Sequence, residues 1–268
     1  MARRKHDKAK ILEHARRYLS GSLKIMSENN AKIMLNEKLG FKTIGINFAP
    51  AKTSKPYGGG NFCAKYTPLC FGGCLENTGH NIYSTADFAR IARSVAFTLE
   101  PDTFQARVCA ELERFFKRTK RAGLEPSVRV NLLSDQIELA WSLSRRYEHV
   151  QFTDYTKRID HVTSLLNHGA VSPNMSWGLS LSESNWSEWR HEMERGLFWG
   201  AVVIDAKKGE PIPETFDGLH CIDGDLHDAR WLTPKGCVAV LRLKGSKEAK
   251  RIARKGFAIP KEDRRWNN

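Results

Sequence analysis

The chain has 268 residues, 41% of them hydrophobic, enough for one large α/β domain with a sizeable core. Its 43 Lys and Arg against 30 Asp and Glu give a formal charge of +13, which favours polyanionic partners, nucleic acid or nucleotides. No apolar run approaches the roughly 20 residues of a membrane-spanning helix and the start lacks a signal peptide's apolar segment, so we expect a cytoplasmic protein with no membrane partner.

The excess charge lies at the two ends, in residues 2–10 with Arg16 and Arg17, and in 242–257. Residues 7–38 place Ile11, Leu12, Ala15 and Leu19, then Leu23, Ile25, Met26, Ile33 and Met34, at helical spacing, which predicts two helices broken near Ser20 and Gly21. We therefore expect residues 1–40 to be a basic helical extension. The stretch 43–51 predicts a first strand ended by Pro50, and glycine-rich 54–62 leads from it into a cysteine loop spanning 57–80.

Helices are predicted over 84–99 and 103–122, followed by a buried strand over 127–135. The alternation then repeats: helix 136–147, strand 150–156, helix 159–168, strand 175–184, helix 185–195 and strand 197–205, with further strands at 219–225 and 237–245. Apolar strands alternating with helices predict a parallel sheet covered by helices, in the form of a partial or complete parallel β/α barrel over 41–256, followed by a basic tail over 257–268. A doubly wound open sheet is the alternative.

In either arrangement ligands gather at the carboxyl ends of the strands. Those ends carry Asn47, Ser134, Asp135, Asp154, Tyr155, Ser182, Glu183, Ser184, Asp205, Asp223 and Asp225. Entry into loops accounts for about half of such polar residues without any function.

Residues 63–74 read CAKYTPLCFGGC, so Cys63, Cys70 and Cys74 are spaced C-x6-C-x3-C with His80 six residues on. In a reducing compartment clustered cysteines bind metal more readily than they form disulfides. Zinc would take all four ligands in a closed tetrahedron. A [4Fe-4S] cluster on three cysteines leaves one iron open. The wide spacing and flanking glycines suit a larger object, which favours the cluster, while three ordinary buried thiols are the plainest alternative. Cys109, Cys221 and Cys237 read as core.

A three-cysteine loop directly after the first strand of a β/α barrel resembles the layout of radical S-adenosylmethionine enzymes, although those space the ligands C-x3-C-x2-C. That resemblance implies that Cys63, Cys70 and Cys74 hold the cluster and that S-adenosylmethionine completes the open iron. Asn47, Ser134, Tyr155 and Ser182 would then bind the cofactor, and Asp135, Asp154, Glu183, Asp223 and Asp225 would act on the substrate. From residue 40 on, the ordered strings GINFAPAKTS, CLENTGH, RVNLLSDQIELAW, FTDYTKR, LSLSESN, GAVVIDA, IDGDLHDARWLTPKG and LRLKGS resemble an uncharacterised family of phage- and plasmid-encoded three-cysteine proteins. The likeness implies a mobile-element origin and names no reaction.

The segment 220–231 holds His220, Asp223, Asp225, His227, Asp228 and Arg230, a density suited to a divalent cation or to acid/base work; Asp228 and Arg230 alternatively pair in a tight turn. No phosphate-binding P-loop and no His-hydrophobe-His nuclease pair occurs, which removes kinase and ATPase readings. Trp186, Trp189 and Met193 recur at core-facing helical spacing. The rival to a cluster enzyme is a nucleic-acid-binding or nicking replication or host-takeover protein whose cysteine loop is a zinc staple.

Overall fold

The computed structural model describes residues 5–267. Residues 1–4, the start of the basic run, and the side chain of His80 lie outside what is described. In chain order the elements are α1 (Lys8–Ser20), β1 (Phe41–Ile46), α2 (Pro68–Gly72), α3 (Ser84–Leu99), α4 (Pro101–Arg121), β2 (Glu125–Asn131), α5 (Ile137–Arg146), β3 (Gln151–Thr156), α6 (Ile159–Asn167), β4 (Met175–Ser180), α7 (Trp186–Glu194) and β5 (Trp199–Ile204). There follow β6 (Thr215–Phe216), β7 (Leu219–Asp223), β8 (Val238–Arg242), α8 (Lys247–Ala253) and β9 (Trp266–Asn267).

The nine strands form one sheet in the order β1-β2-β3-β4-β5-β8-β7-β6-β9. Every pairing from β1 to β7 is parallel, and only the two short pairings of β6, with β7 and with β9, are antiparallel. Helices connect β1 through β5 in chain order, so the predicted strand-helix alternation is realised as a mixed α/β fold with a mostly parallel sheet.

Alternation along the strands divides the sheet into two unlike faces. Ile44, Ile46, Val128, Val130, Phe152, Leu179, Val202, Ile204, Val238 and Val240 join the main hydrophobic core with the helices, as buried parallel strands require. The intervening positions carry Thr43, Ser127, Arg129, Tyr155, Ser176 and Trp199. Only a small apolar group, Trp199, Ala201 and Ala239, packs there with Tyr155, Ile222 and Leu241. The second face is thus built for polar contacts: the Thr43 and Ser127 hydroxyls are 2.7 Å apart and the Asn36 amide donates to Thr43 at 2.8 Å.

Helix α1 starts on an Asp7 cap, ends on left-handed Gly21, and buries Ile11, Ala15, Tyr18 and Leu19 in the main core. The second predicted N-terminal helix is absent apart from a 3-10 turn at Ile33–Leu39. Tertiary contacts override the periodicity. The Glu111 carboxylate accepts the N–H groups of Ile25 and Met26 at 2.9 and 3.0 Å, and Ser27 exchanges both backbone bonds with Gly45. The first strand covers Phe41–Ile46, starting two residues earlier and ending five earlier than predicted, with a shift of register between Gly45 and Ile46 at its end.

A β6–β7 hairpin that the sequence reading passed over turns on Asp217 and Gly218, at φ +50° and +79°, the pattern of a two-residue type I′ turn. Trp189 and Met193 are buried in the core, and Trp186 stacks on Trp189 with ring centroids 5.9 Å apart, which is packing.

Candidate functional site

A cavity of about 220 Å³ opens at the carboxyl ends of β2 through β5 and β8, beneath the cysteine loop, and all three loop cysteines line it. Local chemistry explains how the loop is held. Phe62 donates its N–H to the Ala51 carbonyl at 2.9 Å, and Asp135 donates to the Phe62 carbonyl at 2.8 Å, which stitches Cys63 to the segment after β2. Thr67 caps α2 by accepting the Cys70 N–H at 3.1 Å, with Pro68 pre-set for the first turn.

The glycines of CFGGC then permit close approach to α8. A Cβ on Gly72 would lie 2.3 Å from Ile252 and one on Gly73 2.8 Å from Ala253. The loop is therefore clamped between the strand ends and a helix more than 170 residues downstream in sequence.

All six cysteines are free. The Cys63 thiol has a long contact to the Leu133 carbonyl at 3.8 Å. Burial raises the Cys63 thiol well above its ordinary value, and burial followed by the charge of Glu76 pushes Cys74 up to about 12. Between the thiols stands Lys157, just past β3. Burial alone would lower its ammonium, but Cys70, Asp135 and Cys63 around it raise it. Asp135 accepts the Lys157 N–H at 3.0 Å through one oxygen; burial raises its pKa, and its Oδ1 has no hydrogen-bond partner among the described residues.

The wall toward the sheet interior is ionic. Asp228, fully buried, receives Arg129 at 2.5 Å, Lys32 at 3.3 Å and the Tyr155 hydroxyl at 3.0 Å, with Arg230 at 4.0 Å behind it. Burial would raise this carboxyl, but Arg129, Lys32 and Arg230 hold it far below the usual carboxylate range. The Asp228 N–H is fixed by Asn36 at 2.7 Å. The expected tight-turn pairing of Asp228 with Arg230 is thus the minor part of a network drawn from four segments.

The sequence candidates divide cleanly. Cys63, Cys70, Cys74, Ser134, Asp135, Tyr155 and Asp225 all line the cavity. Asp154 does not. It lies buried, accepting the Asn131 N–H and side-chain amide at 3.0 and 2.7 Å, and burial raises it to about 8 despite Arg129 and Asn131. Ser182 and Glu183 also lie outside the lining; the Ser182 N–H is bound by Asn185 at 2.8 Å in the turn before α7, and Glu183 is exposed. Asn47 sits after β1 with a buried Oδ1 that has no hydrogen-bond partner among the described residues.

Asp223 and Asp225 share the Arg242 guanidinium as their common cation. Both Asp223 oxygens accept from the Arg242 guanidinium at 2.8 Å, and Asp225 is held by Lys244 at 2.8 Å and Arg242 at 3.3 Å. Among the described residues no three His, Cys, Asp or Glu side chains converge as the donors of one metal ion would.

Lys32, Lys65, Arg129, Lys157, Arg242 and Lys244 are the charged lining residues that sequence reasoning missed. Their only signal was position: Lys157 follows strand FTDYT by one residue, and Arg242 and Lys244 end strand VAVLRLK, where they read as part of a solvated basic run.

The arrangement sets three thiols and an ammonium against an ionic wall across one cavity. Thiols are donors that zinc and an iron–sulfur cluster both take. A multi-iron cluster is itself several ångströms across and takes its thiolates at separate corners, whereas zinc draws four donors onto one point.

No curated protein and no solved structure matches the chain significantly. The family model described as Gene product 88 matches residues 23–261, a span that includes the cysteine loop and every strand from β1 through β8. The chain therefore belongs to the Gene product 88 family, in agreement with the phage-type relationship expected from its ordered motifs.

Proposed function

We propose that the chain is a phage-encoded iron–sulfur protein of radical S-adenosylmethionine type, with Cys63, Cys70 and Cys74 as the ligands of a [4Fe-4S] cluster at the mouth of a partial β/α barrel. The observation that carries this reading is that three thiols from one loop, and no other cysteines, line a cavity at the carboxyl edge of the parallel strands where such folds place their chemistry. When bound, a cluster with one iron left open supplies one-electron reduction of S-adenosylmethionine, which generates a hydrogen-abstracting radical.

The chain's own groups have definite tasks in this reading. Lys157 offsets the negative charge that the thiols acquire as ligands, since a buried thiolate needs a nearby cation. Gly72 and Gly73 hold Cys70 and Cys74 against α8 and so fix the thiols relative to the strand ends. Asp135 presents an unpartnered oxygen to a polar group of the bound cofactor. Tyr155 and Asp225 face the cavity from the sheet and serve the substrate side. The basic composition supports a nucleic-acid or nucleotide substrate.

The test is anaerobic reconstitution with ferrous iron and sulfide, then addition of dithionite and S-adenosylmethionine. We expect 5′-deoxyadenosine and methionine from the wild type and none from the Cys63→Ala, Cys70→Ala or Cys74→Ala chains. A reconstituted chain with full iron and no turnover would leave an electron-transfer or structural cluster and end the radical assignment.

A further inference from the structure

We propose that the interior end of the cavity, floored by Lys32 and Arg129, is a binding site for the phosphate of a small phosphomonoester, a nucleotide or sugar phosphate that serves as substrate. The proposal rests on the reading of this cavity as the chain's reaction site and gives that reading a substrate class.

The first observation is an imbalance of charge. Lys32, Arg129, Lys157, Arg242, Lys65 and Lys244 line the cavity against two carboxylates, Asp135 and Asp225. Asp228 and Asp223, outside the lining, pair with Lys32, Arg129 and Arg242 and offset part of the excess. The cations that remain favour an anion in the cavity, and a phosphomonoester carries close to two negative charges at neutral pH. Asp154, the other carboxyl near Arg129, does not line the cavity, and burial raises its pKa.

The second observation is an orphaned donor. Arg129 is 7% exposed and lines the cavity, yet its Nε has no hydrogen-bond partner among the described residues. The Nε itself is closed off by packing, but the guanidinium lines the cavity, and a charged group short of acceptors gains from an oxygen of a bound phosphate. The third concerns Lys32: burial lowers its ammonium to about 8 against the pull of Asp228, as expected of a cation short of counter-charge. S-adenosylmethionine carries one carboxylate beside an ammonium and a sulfonium and so brings no net negative charge; the excess of cations fits the other reactant.

The ring of Tyr155 is already covered by cations, with Arg129 at 4.5 Å and Lys32 at 5.2 Å from its centroid. Its hydroxyl is spent on Asp228. Tyr155 therefore orders the cations and does not itself stack on a base.

The test is calorimetric titration of the full chain, purified anaerobically, with uridine 5′-monophosphate, ribose 5-phosphate, inorganic phosphate, uridine and acetate. We expect both organic phosphates to bind and uridine and acetate to bind at least about tenfold more weakly. Tighter binding of the uridine phosphate assigns a nucleotide, and equal binding of the two assigns a sugar phosphate. Lys32→Gln is expected to weaken phosphate binding about tenfold with the circular-dichroism spectrum retained. Lys244→Gln, a change at a half-exposed site, is expected to weaken it about threefold and keeps the test decisive should the first variant misfold.

Uridine binding as well as its phosphate, failure of every phosphate probe to bind, or binding indifferent to both substitutions would overturn the proposal. Iron and sulfide are assayed on the same protein. Phosphate binding by colourless, iron-free chain retains this site and removes the cluster, whereas iron-loaded chain that ignores phosphate does the reverse.

Discussion

The two walls of the cavity are made in opposite ways. The thiol wall comes from a single loop, Cys63 to Cys74, whose shape is set by short-range devices: the Thr67 cap, Pro68 and two glycines. The ionic wall is assembled from Lys32, Arg129, Asp228 and Arg242, which no short stretch of sequence brings together. The first is a feature of loop chemistry laid on the fold, and the second is part of the fold itself. Changes to the ionic wall should therefore be felt in stability, and changes to the thiol wall in metal content.

The largest effect is expected at Asp228. Removing this carboxylate leaves Arg129 and Lys32 buried without their counter-charge, which costs about 3–5 kcal/mol. Urea unfolding of Asp228→Asn should show it; a loss under about 1 kcal/mol would mean that the ionic wall does not hold the fold together. Next comes Gly72→Val, which drives a side chain into Ile252, 2.3 Å from the Cβ position, and should cost about 1–3 kcal/mol and lower iron retention. Retention unchanged by that substitution would show that contact with α8 does not position the thiols.

Between the two walls, acid should act chiefly on the ionic one. The Asp228 carboxyl is depressed in the folded chain, so its contribution is complete above the unfolded value of about 4 and is lost as pH falls toward the folded one, by up to about 1.4 kcal/mol per pH unit. The urea midpoint of the wild type should fall between pH 5 and pH 3 more steeply than that of Asp228→Asn; parallel slopes would contradict the pairing.

The smallest effect on stability is expected from Cys70→Ser, under about 1 kcal/mol for a half-buried thiol in the metal-free chain. The same change should abolish cluster loading, whereas Cys237→Ser should leave loading intact. Metal loss on both substitutions would erase the distinction between loop and core cysteines.

The same contrast decides what could be learned from the sequence. The parallel strands announced themselves as apolar runs between amphipathic helices, and the thiol loop as three cysteines within a short glycine-bearing stretch. Asp135, Tyr155 and Asp225 were legible because strand ends are where polar residues of such a sheet meet. Asp154 and Ser182 satisfied the same rule and yet missed the cavity, since Asp154 is turned to the Asn131 backbone and Ser182 is used in the turn before α7.

Lys32, Arg129 and Arg242 were not legible. Lys32 precedes β1, Arg129 lies in β2 and Arg242 ends β8, and only the assembled fold brings all three to one cavity. The helix expected over 22–38 failed for a related reason: the Glu111 carboxylate, distant in sequence, takes the N–H groups that a helix would have used.

The most direct measurement of the central claim is the iron and acid-labile sulfide content of the chain purified without oxygen, read with its visible absorption. We expect about four irons and four sulfides per chain and a broad absorption near 400 nm, lost together in Cys63→Ala, Cys70→Ala and Cys74→Ala and kept in Cys109→Ala. A colourless chain carrying one tightly held zinc, or iron that survives replacement of the loop cysteines, would contradict it.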